Sequence, residues 1–156
     1  HTNSLFLPSA SLAPTIRATS QLADAAGHDI LLLVTPAQHL AATMAEVPAF
    51  PRDLVLCAKG MEPETGRTMH EVPAQVAPGS EIAVLSGPTF AHEVAAGMPT
   101  AVTLACGGGE AQWQRLAPAI ARPALGLINA VPGPVAAALR TGLDSLVNLI
   151  PKDHPA

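Results

Sequence analysis

The sequence contains no tyrosine, three phenylalanines and one tryptophan, so aromatic residues occupy only 3% of its 156 positions. Charge is also sparse: 13% of residues are charged, with a formal net charge of -4 at pH 7. A chain with neither stacking rings nor a basic stripe lacks both means of gripping nucleic acid, which is excluded as a partner. No apolar run approaches the roughly 20 residues that a bilayer-spanning helix needs, residues 30–34 being among the longest. With no membrane span, and no charged start leading to a cleavage site, a soluble cytoplasmic protein is expected. The two cysteines, Cys57 and Cys106, stand far apart inside apolar runs and form no Cys-x-x-Cys. That excludes a disulfide framework and predicts two reduced core thiols. His28 beside Asp29 and His92 beside Glu93 are chain neighbours, a spacing that holds no metal, and His-Glu-x-x-His is absent. Gly-x-Gly-x-x-Gly is absent too, and there is no internal repeat.

What is present is apolar matter. Hydrophobic residues make up 49% of the chain, which suits one core of ordinary size but not a second complete domain. Sixteen prolines and twelve glycines are spread along the chain and punctuate short elements. Residues 29–34 form an apolar run of strand length stopped by Pro36, which predicts a buried parallel strand. In 37–47, Leu40, Ala41, Met44 and Val47 recur at helical spacing, and Pro48 and Pro51 close the stretch. The order then repeats, with a buried strand at 54–57, a turn at Gly60, a helix over 64–76 that Pro73 interrupts, and a third strand at 82–85. A fourth strand is expected at Thr100–Cys106, followed by a flexible loop at Gly107, Gly108 and Gly109. A helix over 110–121 follows, with Trp113, Leu116, Ala117 and Ile120 on one face and Pro118 as its weak point. Strands alternating with helices at this pace predict the α/β class, a doubly wound parallel sheet. Beyond Gly126 only a helix near 135–149 is suggested.

In open α/β sheets, ligands bind past the carboxyl ends of strands, so the residues just after each run carry the information. After the first run come Thr35, Pro36, Ala37 and Gln38: a plain strand-to-helix turn, or a ligand-facing one. After the second come Lys59 and Gly60. The ammonium at a strand end either reaches out to solvent or pairs with an anion, and Gly60 lets the backbone turn closely. After the third come Ser86, Gly87, Pro88 and Thr89. Small residues there expose backbone N–H groups, and the Thr89 hydroxyl can cap a helix or bind a ligand oxygen. Ser86 lacks the flanking glycines of a nucleophile elbow, which argues against serine hydrolase chemistry.

Taken in order, these segments resemble the bacterial NAD(P)-dependent glycerol-3-phosphate dehydrogenase family. Asn3 with Phe6, Leu7 and Pro8 is similar to the family's Asn-x-x-aromatic-Leu-Pro, and Val34 to Gln38 to its Val-x-Pro-Ser/Ala-Gln turn. Lys59 and Gly60, with Glu64, Thr65 and Gly66, resemble its Lys-Gly signature. The strongest match is residues 85–100, LSGPTFAHEVAAGMPT, similar almost residue for residue. A related 3-hydroxyacid dehydrogenase would share the fold but is not expected to carry LSGPTF.

The resemblance covers about residues 1–125. It implies a partial Rossmann-like dinucleotide-binding domain there, without the family's C-terminal helical domain, and a divergent tail at 126–156. It further implies reversible hydride transfer between sn-glycerol 3-phosphate and dihydroxyacetone phosphate with NAD or NADP, in supply of phospholipid synthesis. By the same resemblance Lys59 contacts substrate and cofactor, Gly87 and Thr89 line the substrate, Ala91 lies by the cofactor, and Pro36 and Phe6 pack against it. The family's Gly-rich phosphate loop is expected upstream of His1. Its Gly-Gly-Ala-Leu-Lys-Asn-Val motif, whose Lys is the proton acceptor, is expected soon after Leu125, where this sequence departs from the pattern. Lys152, followed by Asp153, has none of that motif's neighbours, so no catalytic residue is assigned. The chain is therefore expected to be a catalytically incomplete piece of such an enzyme, the alternative being a stand-alone noncatalytic remnant domain. NAD against NADP, and whether the chain forms a homo-oligomer, stay open.

Overall fold

The computed structural model describes residues 2–61 and 66–130. The helix expected near 135–149 and Lys152 lie outside the described residues. A short antiparallel hairpin comes first, β1 (Thr2–Asn3) and β2 (Leu7–Ser11), its turn closed by Phe6 N–H donating to Asn3 Oδ1 at 3.1 Å. A five-stranded sheet follows: β3 (Ile30–Leu33), β4 (Asp53–Leu56), β5 (Glu81–Ser86), β6 (Thr100–Cys106) and β7 (Leu125–Ala130), side by side in that order. The helices are α1 (Leu40–Ala45), α2 (Glu71–Val76), α3 (Ala91–Ala95) and α4 (Gly109–Ile120). Among the described residues no helix is long and apolar enough to cross a membrane.

Strand alternation sends apolar side chains to both faces, and both faces are covered. Leu54 and Leu56 of β4 join Leu40, Met44 and Val72 on the side of α1 and α2. Val55, between them in sequence, joins Ala83, Leu104 and Leu116 on the side of α4. Two-sided burial explains why β4 reads as a continuous apolar run. The Rossmann-like α/β class is as expected.

Several expectations need correction. The run at 29–34 forms a parallel strand, but at the edge of the described sheet: Leu32 is 46% exposed and Val34 68%, because only β4 flanks it. The segment 37–47 divides into a 3-10 turn at Ala37–His39 and then α1, with Leu40 and Met44 fully buried. Helix α2 starts only at Glu71. There the Glu71 carboxylate accepts from the Thr68 N–H and hydroxyl, both at 2.7 Å, and fixes the start. Pro73 then sits in the first turn, where its missing N–H breaks no helical bond, so it does not interrupt the helix. Residues 62–65 lie outside the described residues.

The sheet is not wholly parallel. β3, β4 and β5 run together, β6 is antiparallel to β5, and β7 is parallel to β6. The connection carrying α3 leaves β5 and enters β6 at the same rim, with Ser86 opposite Thr103. The twelve-residue α4, about 18 Å long, carries the chain back along the sheet, and β6 and β7 are parallel. Residues 126–130, the start of the tail expected to diverge, form β7 with Leu125 and pair with β6 as far as Ala105 opposite Ala130.

At the amino ends of β4 and β5 a polar network fastens α4 to the sheet. Arg115 donates from Nε to Asp53 Oδ2 at 2.9 Å, and from one terminal nitrogen to Asp53 Oδ1 at 3.0 Å and Glu81 Oε2 at 2.7 Å. Gln112, fully buried, donates to Asp53 Oδ1 at 3.1 Å and to the Glu81 carbonyl at 3.0 Å, and accepts from Gly108 N–H at 3.0 Å. Arg52 pairs with Glu81 at 2.6 Å. Of the three glycines expected as a flexible loop, Gly107 and Gly108 are closely packed and Gly109 opens α4. A Cβ at Gly107 would stand 2.6 Å from the Ile82 carbonyl oxygen, and one at Gly108 would stand 2.0 Å from Glu81 Oε2. Only glycine fits such an approach.

Candidate functional site

The carboxyl ends of β3, β4 and β5 lie side by side at the end of the sheet opposite this network. β4 ends at Leu56, and Cys57 N–H still donates to Leu33 O at 2.9 Å, which holds the following turn beside β3. Gly60 has φ +107, a conformation that L side chains rarely adopt, and this lets the chain leave the rim directly after Lys59. Lys59 extends across the end of β5, where Nζ donates to the Gly87 carbonyl at 3.4 Å. Among the described residues no carboxylate pairs with it.

Lys59, Gly87 and Thr89 therefore converge, as expected, on one cleft of about 180 Å³. Cys57, Leu85 and Val102 supply its apolar part and Ser86 adds to its polar edge. Gly87 is held by sterics: a Cβ there would lie 2.9 Å from Val102 Cγ1 and 3.1 Å from the Ala101 carbonyl. Close approach to β6 thus demands glycine and leaves the Gly87 carbonyl facing Lys59. Thr89 does not cap α3, whose N-cap is Phe90 with no side-chain hydrogen bond, and Thr89 lines the cleft. Burial pushes the Cys57 thiol up from its ordinary pKa and keeps it protonated. The other face of the same strand ends holds a larger depression of about 340 Å³ between Val84, Ser86, Gly87, Pro88, Thr103 and Ala105, with no ionisable side chain.

The remaining candidates stand outside the cleft. Pro36 opens the 3-10 turn after β3, Ala91 is the first residue of α3, and Phe6 is 79% exposed at the hairpin turn. α3 packs against β2, so the hairpin carrying Phe6 and the helix opened by Ala91 are neighbours. Sequence reasoning missed Cys57, Leu85 and Val102 as lining. Period-2 alternation puts Leu85 and the preceding Ala83 on the same face, but nothing local shows that Val102 of an antiparallel strand closes the cleft. It also missed that the Thr35 hydroxyl, at the end of β3, is buried without a hydrogen-bond partner.

Comparison with known proteins identifies the family. Residues 1–112 match the family model described as NAD-dependent glycerol-3-phosphate dehydrogenase N-terminus. The chain is 60% identical over 124 residues to a glycerol-3-phosphate dehydrogenase [NAD(P)+] of Erythrobacter litoralis, covering 80% of this chain and 37% of that protein. It is 63% identical over 121 residues to the enzyme of the same name from Novosphingobium aromaticivorans, covering 78% and 37%. Among solved structures, the glycerol-3-phosphate dehydrogenase of Coxiella burnetii superposes with a TM-score of 0.69 at 27% identity, over 80% of this chain and 39% of that one. The Saccharomyces cerevisiae enzyme, at 23% identity and a TM-score of 0.70, shares the fold over 83% of this chain and 40% of its own. The chain thus spans little more than a third of the length of these relatives. With its first 112 residues matched and its strand-end turns in the expected places, it belongs to the NAD(P)-dependent glycerol-3-phosphate dehydrogenase family, as part of the N-terminal region.

Proposed function

We propose that this chain supplies the substrate-gripping part of a glycerol-3-phosphate dehydrogenase, which interconverts sn-glycerol 3-phosphate and dihydroxyacetone phosphate with NAD or NADP and feeds phospholipid synthesis. The observation that carries the reading is the Lys59 ammonium, which among the described residues bonds the Gly87 carbonyl and no carboxylate, in a cleft that also presents Thr89. An ammonium beside a hydroxyl suits an oxyanion. The apolar side made by Leu85 and Val102 suits a short carbon chain. Lys59 binds and orients the oxygen-rich end of the substrate, Thr89 donates to a second oxygen, and Gly87 keeps the cleft floor open.

A bound nicotinamide dinucleotide would supply the hydride donor or acceptor. The described residues fit its nicotinamide end, where the Thr35 hydroxyl lacks a partner and Pro36 offers a rigid exposed ring. Pro36, Phe6 and Ala91 would pack along it. The sequence holds no Gly-x-Gly-x-x-Gly to receive the pyrophosphate and no residue assigned as the proton acceptor. This chain alone is therefore expected to bind and not to turn over.

Titrating the purified chain with sn-glycerol 3-phosphate and dihydroxyacetone phosphate by calorimetry tests the reading. Lys59→Ala removes charge-assisted hydrogen bonds contributing about 1.5–3 kcal/mol, so affinity should fall roughly 10- to 100-fold. Equal binding by wild type and Lys59→Ala would refute the site. Clear NADH-dependent reduction of dihydroxyacetone phosphate, lost in Lys59→Ala, would instead show the chain to be catalytically complete. Absence of binding to either compound would favour a noncatalytic remnant.

A further inference from the structure

Of the apolar side chains that line the Lys59 cleft, Cys57 and Leu85 pack against the core cluster of Val55, Ala83, Leu104 and Leu116, whereas Val102 belongs to neither core cluster. It is nevertheless only 6% exposed. The register of β5 and β6 accounts for that. Ser86 pairs with Thr103, and one step further along each chain come Gly87 and Val102. A Cβ on Gly87 would lie 2.9 Å from Val102 Cγ1 and 3.1 Å from Val102 Cα, so the isopropyl group stands over the space that glycine leaves empty. The Gly87 carbonyl meanwhile accepts from Lys59 Nζ at 3.4 Å. Gly87 therefore joins the two: its carbonyl holds the cation, and its bare α-carbon lies against the valine.

We infer that Val102 sets the length of carbon chain that the cleft accepts, an inference that rests on the dehydrogenase reading above. A ligand whose oxyanion is held at Lys59 runs its carbon chain along Gly87 towards the Val102 methyls. There it meets a β-branched side chain with one stiff torsion, packed against backbone and unable to swing aside. The three-carbon chain of the proposed substrate stops short of those methyls, and a fourth carbon runs into them. Cys57 and Leu85 share the same wall, but their side chains also serve the core beneath α4, so a change there alters the fold as well as the cleft. Val102 can change size at the cleft alone. The antiparallel entry of β6 thus supplies a chain-length stop opposite the cation at the end of β4.

The test titrates the whole 156-residue chain by calorimetry with a ladder of phosphate esters: 2-hydroxyethyl phosphate, sn-glycerol 3-phosphate and erythritol 4-phosphate. Wild type should bind sn-glycerol 3-phosphate about tenfold or more tighter than the four-carbon ester, the discrimination that one carbon gives in an apolar pocket. Val102→Ala should bring the two within about threefold by gaining the larger ligand. Val102→Ile, one methyl larger, should weaken sn-glycerol 3-phosphate about tenfold and leave 2-hydroxyethyl phosphate as it was. Leu104→Ala, two residues along β6 and in the core instead of the cleft, should lower Tm and keep the wild-type ratio. A wild type that binds three-carbon and four-carbon esters equally, a ratio indifferent to residue 102, or a uniform loss of all three ligands in Val102→Ala each overturns the inference. Should Val102→Ala not fold, Val102→Ile decides alone. Lys59→Ala separates the two failures. If it loses sn-glycerol 3-phosphate while the ratio ignores residue 102, the dehydrogenase reading stands without this inference, and if wild type binds none of the esters both fall.

Discussion

Changing Asp53 to Asn removes the negative charge at the centre of the network that holds α4 to the sheet. The carboxylate is 4% exposed and accepts three hydrogen bonds, two from Arg115 and one from Gln112. Removing one partner of a buried, hydrogen-bonded ion pair costs about 3–5 kcal/mol. Here the cost is reduced, because the Arg115 side chain keeps 30% of its exposure and retains Glu81 at 2.7 Å, so about 2–3 kcal/mol is expected. For a chain of this size that corresponds to a Tm lower by roughly 6–9 °C, read by circular dichroism at pH 7. The pH dependence gives a second check. Burial alone would raise the Asp53 pKa, but the hydrogen bonds from Arg115 and Gln112 and the charges of Arg115 and Arg52 outweigh it and hold the carboxyl below its ordinary value. A depressed folded pKa contributes stability that is present above the unfolded value, about 3.9, and is lost as pH falls through the folded one. The Tm gap between wild type and Asp53→Asn should therefore persist from pH 7 down to about pH 4 and close below it. An unchanged Tm at pH 7, or a gap that closes between pH 7 and pH 5, would refute the reasoning.

Other outcomes follow from single contacts. Gly87→Ala forces a methyl to within 2.9 Å of Val102 Cγ1 and should lower stability by about 1–3 kcal/mol in urea, an unchanged midpoint showing that β6 yields freely. Leu116→Ala empties a fully buried position between α4 and the sheet and should cost about 2–5 kcal/mol in the same assay; a cost below 1 would mean that the helix collapses onto the gap. Cys57, with its thiol pKa raised by burial, should react slowly with iodoacetamide at pH 7 and faster towards pH 10, and sn-glycerol 3-phosphate should slow it further; fast labelling unaffected by ligand would place the thiol outside the cleft.

The sequence showed some of this directly. Thr100–Cys106 was legible at both ends because Pro99 and the glycines after Cys106 bracket an unbroken β-favouring run. β4 was legible because a strand buried on both faces needs no polar alternation. The edge position of β3 was not legible, because Ile30 to Leu33 are equally apolar whether or not a neighbour covers them. Nor was β7, whose Gly126 and Asn129 are poor strand formers in isolation and which is fixed by six residues of register with β6. That Lys59, Gly87 and Thr89 share one cleft was legible because each lies within three residues of the carboxyl end of β4 or β5. Arg115 and Asp53, 62 residues apart, could not be paired, since nothing local links an arginine on a helix to the first residue of a strand.

The reversal between β5 and β6 has a consequence for how this protein can change. Ser86 and Thr103 face each other across the ladder, so the segment between them leaves and re-enters the sheet at one rim. It is anchored at both ends by the strands and spans none of the sheet's length. Lengthening it adds only the slow entropic cost of a longer loop, about 0.6 kcal/mol per doubling. A parallel crossover would instead have to keep its helix matched to the strands. Insertions between Gly87 and Pro99 can therefore reshape the mouth of the Lys59 cleft while the strand register stays as it is, which makes this loop the natural place for altered substrate choice to arise.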